Sequence, residues 1–332
     1  MIQRVLVAPL NYSHRQRGQV EAFQAVFGAD NVREFDWMAR HREGKNASAA
    51  LAAAAAQFRP DWIWIQAQGA DGLDPVRVRQ IREAIPSCFI THWMGDCRAH
   101  VPEQLAYMCQ ATHATLISNT GQHGMYHRAG ARRVHYVQIG LDPEDVQPGT
   151  WERPLQVPDV VFCGGYYGHV DQFWEGTQLR LRAIRAIVGH GINIGVVGRG
   201  WPDDIPRVGE CHVKEQIHVY KRARVALSIN HFNNIPLYYS DRQLIAMASG
   251  TPVVAKYIPD LELEFTHGTH CLFWRTIDEL VSGVKELLAD ERLAATIGHN
   301  GQHKVLSEHT WYERIKALRP VVEGWRKEDC KL

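Results

Sequence analysis

The chain has 332 residues with 37 Lys and Arg against 36 Asp and Glu, a formal charge of +1, which sets it apart from general polyanion binders. Hydrophobic residues make up 45% and charged residues 22%, values of a globular chain long enough for two cores and unlike those of a disordered one. No apolar run approaches a membrane span, the opening MIQRVLVAPL is charged too early and apolar too briefly for a signal peptide, and the seven cysteines include no C-x-x-C pair, so reduced thiols and a cytoplasmic location are expected.

In chain order, residues 4–8 read as a short apolar strand running into the polar loop Pro9-Leu-Asn-Tyr-Ser-His-Arg-Gln-Arg-Gly18. A helix follows with Val20, Phe23 and Phe27 on one face. His14, Arg15 and Arg17 either touch a substrate at the strand's carboxyl end or simply solvate the helix entrance. A second strand spans 32–35, and the alanine-rich run 47–58 is a helix by propensity. DWIWIQAQ is a central strand, 75–84 a helix, and 88–92 a strand opening into Trp93-Met-Gly-Asp96. A helix over 102–110, a strand over 114–118, a helix over 122–129 and a strand over 134–138 complete the alternation. Strands separated by single helices predict an α/β, doubly wound parallel sheet.

Residues 142–159 carry four prolines and no apolar periodicity, the texture of a hinge between domains. The alternation then repeats. A strand over 160–163 ends in Gly164-Gly165-Tyr166, a helix carries Leu181, Ile184 and Val188, and a strand over 192–197 ends in Gly198-Arg199-Gly200. Residues 225–229 form a buried strand, and Ser240, three residues before Gln243, has the capping-box spacing of a helix start. Gly250 and Pro252 end that helix, and a strand resumes at 253–255. Thr276 with Glu279 makes a second capping box, Asp290 starts another helix, and 311–327 reads as an amphipathic terminal helix.

Three features of the second half sit at strand ends where an open parallel sheet binds ligands. Gly164 and Gly165, with Tyr166 beside them, let backbone N–H groups approach a phosphate, or else form a tight turn. Arg199 and Gly200 offer a guanidinium for bidentate phosphate binding, or else a surface turn. Ser240, Asp241 and Arg242 open a helix whose positive dipole end suits an anion. Together they predict a diphosphate cradle. Eighteen histidines invite a metal reading, yet neither an H-x-x-x-H nor an H-E-x-x-H on an evident helix is expected to support one, most histidines being surface or hydrogen-bonded, and with no D-x-D no metal ligands are assigned.

The run Ser240-x-Arg242-x-Leu244-x-Ala246-x-Ala248-x-Gly250-x-Pro252-Val-Val, followed by Asp260-Leu-Glu-Leu-Glu-Phe265, Gly268 and His309-Thr-Trp-Tyr312, resembles the C-terminal domain of group 1-like glycosyltransferases, nearest to CgeB-like proteins. The likeness covers about residues 159–316. It implies a GT-B architecture, two Rossmann-like domains facing a cleft: residues 1–150 for the acceptor, 151–315 for a nucleotide-diphospho-sugar with UDP-sugars first among donors, and 316–332 a helix crossing back to the first domain. It implies a hexosyltransferase-like reaction with no further cofactor, in which Asp96, whose counterpart loop in the relatives carries an acid, is the base ahead of His92 and His14. Asp96 has an alternative role as a turn aspartate before the helix that starts near residue 102. The resemblance also implies an acidic residue contacting the donor's ribose where this chain has Ile245, so either another residue holds the ribose or the donor site has changed. A sugar-nucleotide epimerase of the same architecture and a non-catalytic binding module remain the alternatives.

Residues 1–141 hold 15 Lys and Arg against 11 Asp and Glu, a formal +4. His14-Arg15-Gln-Arg17, Arg40-His41-Arg42, and Arg128 with Arg132 and Arg133 either line the path of an anionic acceptor, which is DNA with hydroxymethylated bases, a phosphorylated glycan, a lipid-linked sugar or another small molecule, or else belong to an evenly charged surface.

Overall fold

The structure, a computed structural model, describes residues 1–12, 16–68, 72–142, 146, 158–168 and 175–329. The chain divides into two compact units, Met1–Asp142 with Trp311–Leu332, and Pro143–Thr310. Each is an α/β unit built on a six-stranded parallel sheet.

In the first unit the strands are β1 (Val5–Ala8), β2 (Val32–Glu34), β3 (Trp62–Gln66), β4 (Phe89–Met94), β5 (Ala114–Ile117) and β6 (Val134–Tyr136), in the order β2-β1-β3-β4-β5-β6. Its helices are α1 (Arg17–Phe27), α2 (Trp37–Arg42), α3 (Ala47–Phe58), α4 (Pro75–Ala84), α5 (Glu103–Ala111), α6 (His123–Arg128) and, from the far end of the chain, α12 (Trp311–Asp329). Because side chains alternate across a strand, Leu6, Ala8, Ile63 and Ile65 pack towards α3, α4 and α5. Val5, Val7, Trp62 and Trp64 face the other way, onto Val20 and Phe23 of α1 and Trp311, Ile315 and Leu318 of α12. A strand buried on both faces reads as a continuous apolar run, which is why DWIWIQAQ stood out in the sequence.

Strand β4 runs two residues beyond its predicted end, so Trp93 and Met94 are buried in the sheet and do not open the loop. Gly140 lies so close to Trp311 that a β-carbon there would come within 2.5 Å of its backbone nitrogen. That approach lets α12 dock with Trp311 edge-on to Trp93 at 5.0 Å.

In the second unit the strands are β7 (Val160–Cys163), β8 (Ile194–Val197), β9 (Arg207–Gly209), β10 (Val225–Ser228), β11 (Val253–Lys256) and β12 (Leu272–Trp274), in the order β12-β11-β10-β7-β8-β9. The helices are α7 (Glu175–Gly189), α8 (Gln216–Tyr220), α9 (Asp241–Ala248), α10 (Ile277–Ala289) and α11 (Glu291–Glu308). The chain builds outwards from β7 through β8 and β9, then returns to β7's other side with β10. The strand order therefore reverses between β7 and β10, where a doubly wound sheet opens a crevice at its carboxyl edge. Short β9, with no apolar run of its own, escaped the sequence reading. No helix among the described residues is long and apolar enough to cross a membrane.

Candidate functional site

The switch point between β7 and β10 is spanned by one side chain that the sequence reading passed over. Arg180, on α7, is completely buried. Its Nε and Nη2 donate to the Ile229 carbonyl just past β10 at 2.9 and 2.8 Å, and its Nη1 donates to the Gly165 carbonyl past β7 at 3.2 Å. Nη1 also lies 3.0 Å from His231 Nε2. A guanidinium only donates, so Nε2 accepts and the imidazole proton sits on Nδ1. Among the described residues no carboxylate pairs with Arg180. Burial first, and then the charge of Arg242, drive its pKa well below the usual arginine value. Burial first, and then the same two guanidinium groups, push His231 down to about 2, so it is neutral at physiological pH.

Arg242 comes from the first turn of α9. Its Nε lies 3.8 Å from where a Gly164 β-carbon would stand. Two guanidiniums thus crowd the ends of β7 and β10 without a counter-charge among the described residues, an arrangement that favours a bound anion. The loop between β10 and α9 is held by Asn230 and Asn233. Asn230 Oδ1 accepts from the Ser240 N–H, and Asn233 Nδ2 donates back to the Asn230 carbonyl. Gly176, at the start of α7, fits beneath this loop, where a β-carbon would come within 2.0 Å of the Asn230 carbonyl oxygen. Arg180 is thereby fixed against the loop that carries Arg242.

The glycines divide by role. Gly164 and Gly165 follow β7, Gly164 beside Arg242 and Gly165 against the Tyr167 ring. Gly198 and Gly200 instead clamp the loops after β7 and β8 together, since their β-carbons would fall 2.3 Å from the Gly164 oxygen and 2.2 Å from the Tyr166 oxygen. Gly200 also has φ +82°, a conformation that side chains resist. The chain bends between these two clamped glycines, and Arg199 is left facing outwards. Its side chain is 86% exposed and its Nε donates to Glu210 at 2.5 Å. The expected phosphate ligand Arg199 is a surface ion pair, and the buried guanidinium at the site is Arg180. Tyr166 packs its ring on Trp201 at 5.5 Å, its hydroxyl accepting from Gln178.

Ser240 occupies the N-cap position of α9 with extended backbone, but its hydroxyl makes no capping bond. The capping box does not form, because Gln243 Oε1 accepts from the Ser228 hydroxyl of β10 at 3.2 Å and is drawn into the sheet. Asp241 turns its carboxylate back to the N–H of Arg242 at 2.9 Å. The second box, Thr276 with Glu279, forms as spaced. Ile245 is 1% exposed in the core of the second unit. The His309-Thr-Trp-Tyr and Leu-Glu-Phe signatures have a structural use here. His309 stacks on Phe265 at 4.6 Å, and the Tyr239 hydroxyl donates to the Glu264 carboxylate and lies 3.3 Å from His309 Nδ1, bracing the chain just before α9.

In the first unit, Asp96 is exposed in the loop after β4, its N–H donating to Gln68 Oε1 at 3.3 Å. His92 is fully enclosed: Nε2 donates to the Ala67 carbonyl at 2.9 Å, Nδ1 is buried without a partner, and burial lowers its pKa to about 4. A base must reach its proton, so enclosure removes His92 from that role. His14 lies outside the described residues. Of the basic groups expected along an acceptor path, Arg132 and Arg133 pair with Asp329 at 2.9 and 2.7 Å, Arg42 donates to the Asn11 carbonyl, and Arg17 lies 3.7 Å from Glu21. His123 with His127 and His299 with His303 fall four apart on α6 and α11. Even so, no group of three His, Cys, Asp or Glu among the described residues has metal-holding geometry.

Residues 178–319, which contain Arg180, His231 and Arg242, match the family model described as glycosyl transferase-like. Solved structures share the fold over nearly the whole chain. Sucrose-phosphate synthase from Thermosynechococcus elongatus is 15% identical with TM-score 0.64, over 97% of this chain and 98% of that one. Anabaena HepE in complex with UDP and glucose is 11% identical with TM-score 0.66, over 97% and 100%. A UDP-N-acetylglucosamine 2-epimerase-like protein of Listeria monocytogenes is more distant, 10% identical with TM-score 0.52, over 99% and 98%. No curated protein matches the sequence.

Proposed function

We propose that the chain is a glycosyltransferase that moves a sugar from a nucleotide-diphospho-sugar, a UDP-sugar first among them, to an acceptor hydroxyl. The observation that carries this reading is the pair Arg180 and Arg242 at the β7/β10 switch point, two guanidiniums with no carboxylate partner among the described residues. A diphosphate supplies the missing charge. As the bond to the anomeric carbon breaks, negative charge grows on the leaving diphosphate, and preset guanidiniums stabilise it without reorganising. The glycosyl transferase-like match over residues 178–319 supports the same reading. Asp96 is the base in this scheme, taking the proton of the acceptor hydroxyl. The arginines do the work a divalent metal does elsewhere, so turnover is expected to persist in EDTA.

The test is calorimetric titration with UDP and UDP-sugars, followed by an assay for sugar transfer or donor hydrolysis. UDP should bind and Asp96→Asn should lose turnover while keeping donor affinity. Acceptor-independent interconversion of the donor sugar would make the protein an epimerase, and absence of any nucleotide binding would refute the proposal.

A further inference from the structure

The first unit holds a cavity of about 800 Å³ that neither the donor site nor the proposed base uses. Its volume falls within the roughly 300–1,000 Å³ of small-molecule sites. The walls are the starts of α3, α4 and α5 and the turn after α2, at the carboxyl edge of the sheet. Gly72 in its wall, at φ +100°, lets the backbone pack closely there, since a β-carbon would come 2.8 Å from the Trp37 ring and 3.1 Å from His41.

The charge on these walls is unevenly used. The side chain of Arg79 lines the cavity and makes no ion pair or hydrogen bond among the described residues, and the imidazole of His41 opposite makes none either. Lys45 pairs only with Glu43, with both side chains more than half exposed, which screens the pair. The two acids of the lining are engaged: Asp74 accepts from the Val76 N–H as the cap of α4, and Glu103 accepts from the Tyr107 hydroxyl at 2.6 Å. Cationic capacity is thus left over, beside apolar surface from Val76 and Tyr107, which are 61% and 46% exposed. Apolar and aromatic walls with a few placed charges suit a sugar ring carrying an anionic group.

We propose that this cavity binds an anion-bearing saccharide, its phosphate or carboxylate held by Arg79 with His41 and its ring against Tyr107 and Val76. As the acceptor of the transfer this ligand rests on the function proposed above; as a binding site it stands apart from it.

The full chain is titrated calorimetrically with glucose 6-phosphate, glucuronate, glucose and inorganic phosphate. At least one anionic sugar should bind, about tenfold or more tighter than glucose, the size expected of one charge-assisted hydrogen bond. The stronger of the two anionic sugars identifies the group as phosphate or carboxylate. Arg79→Glu, and separately Val76→Trp to fill the cavity, should each weaken that binding about tenfold or more. Both substitutions lie at exposed positions, and UDP affinity should be unchanged in both. No binding of either anionic sugar, inorganic phosphate binding as well as the sugars, or full affinity in Arg79→Glu each overturns the proposal. Sugar binding without UDP binding overturns the donor reading alone, and UDP binding without sugar binding overturns this one alone.

Discussion

Replacing Arg180 by Met separates two accounts of a buried guanidinium. If Arg180 is there to hold the fold, its loss removes donors from the Ile229 and Gly165 carbonyls and leaves them unsatisfied, at about 1–3 kcal/mol each. If it is there to hold an anion, the apo protein already bears the cost of a desolvated charge facing Arg242, a penalty of order several kcal/mol that Met relieves. These terms oppose one another, so the unliganded variant should melt within about 2 kcal/mol of the wild type. The ligand response should differ sharply. Losing one charged phosphate contact is worth on the order of 2 kcal/mol, about 30-fold in Kd. UDP at 100 times the wild-type Kd stabilises the wild type by about 2.7 kcal/mol and should stabilise Arg180→Met by only about 0.9 kcal/mol. Thermal melts with and without UDP measure both quantities. An equal UDP shift in the two proteins would refute the anion role, and an apo loss beyond roughly 4 kcal/mol would make Arg180 a structural residue.

Gly200→Ala should destabilise by on the order of 1–3 kcal/mol, since its β-carbon meets the Tyr166 oxygen at 2.2 Å in a left-handed conformation; an unchanged melt would mean the two loops are not clamped. Ile245→Glu should cost several kcal/mol of stability by burying an unpaired acid, and should not tighten UDP binding; tighter binding at an unchanged melting point would show that the ribose pocket tolerates an acid there. His92 is lowered to about 4 when folded, so the native state binds fewer protons than the unfolded state below about pH 6.5 and loses stability as pH falls towards 4, by about 2 kcal/mol at pH 5. His92→Gln should flatten the denaturant midpoint over pH 4–7, and an unchanged slope would place the acid sensitivity elsewhere.

The sheets were legible because buried parallel strands are written as unbroken apolar runs: WIWIQ, VVFC and VALS each became a strand. Arg180 was harder to see because it is one of three arginines on α7, and arginine is ordinarily read as a solvated face. Its signal was positional. It stands four and seven residues before Ile184 and Ile187, on the stripe that packs into the core, where a charge demands a partner. Arg199 misled for the opposite reason. Glycines on both sides suggested a phosphate loop, whereas they were needed for one backbone to lie against another, and that contact turns the intervening side chain to water. Ser240 and Gln243 had capping-box spacing, yet a buried Ser228 across the strand competed successfully for the glutamine. Propensity describes what a residue does locally, and each of these was decided by a neighbour distant in sequence.

The return of α12 to the first unit also fixes an order of events during synthesis. By the time Asp142 has been added, all six strands of that unit exist, but the sheet face carrying Trp62, Trp64 and Trp93 lacks the helix bearing Trp311, Ile315 and Leu318. About 170 residues separate the two, about 8–35 s of translation at roughly 5–20 residues per second. The second unit, contiguous from Pro143 to Thr310, has its whole sequence available first. Until α12 arrives, the tryptophan face of the first unit stays half-covered. Holdase chaperones should therefore engage nascent chains ended between residues 142 and 310 and release those that extend past α12.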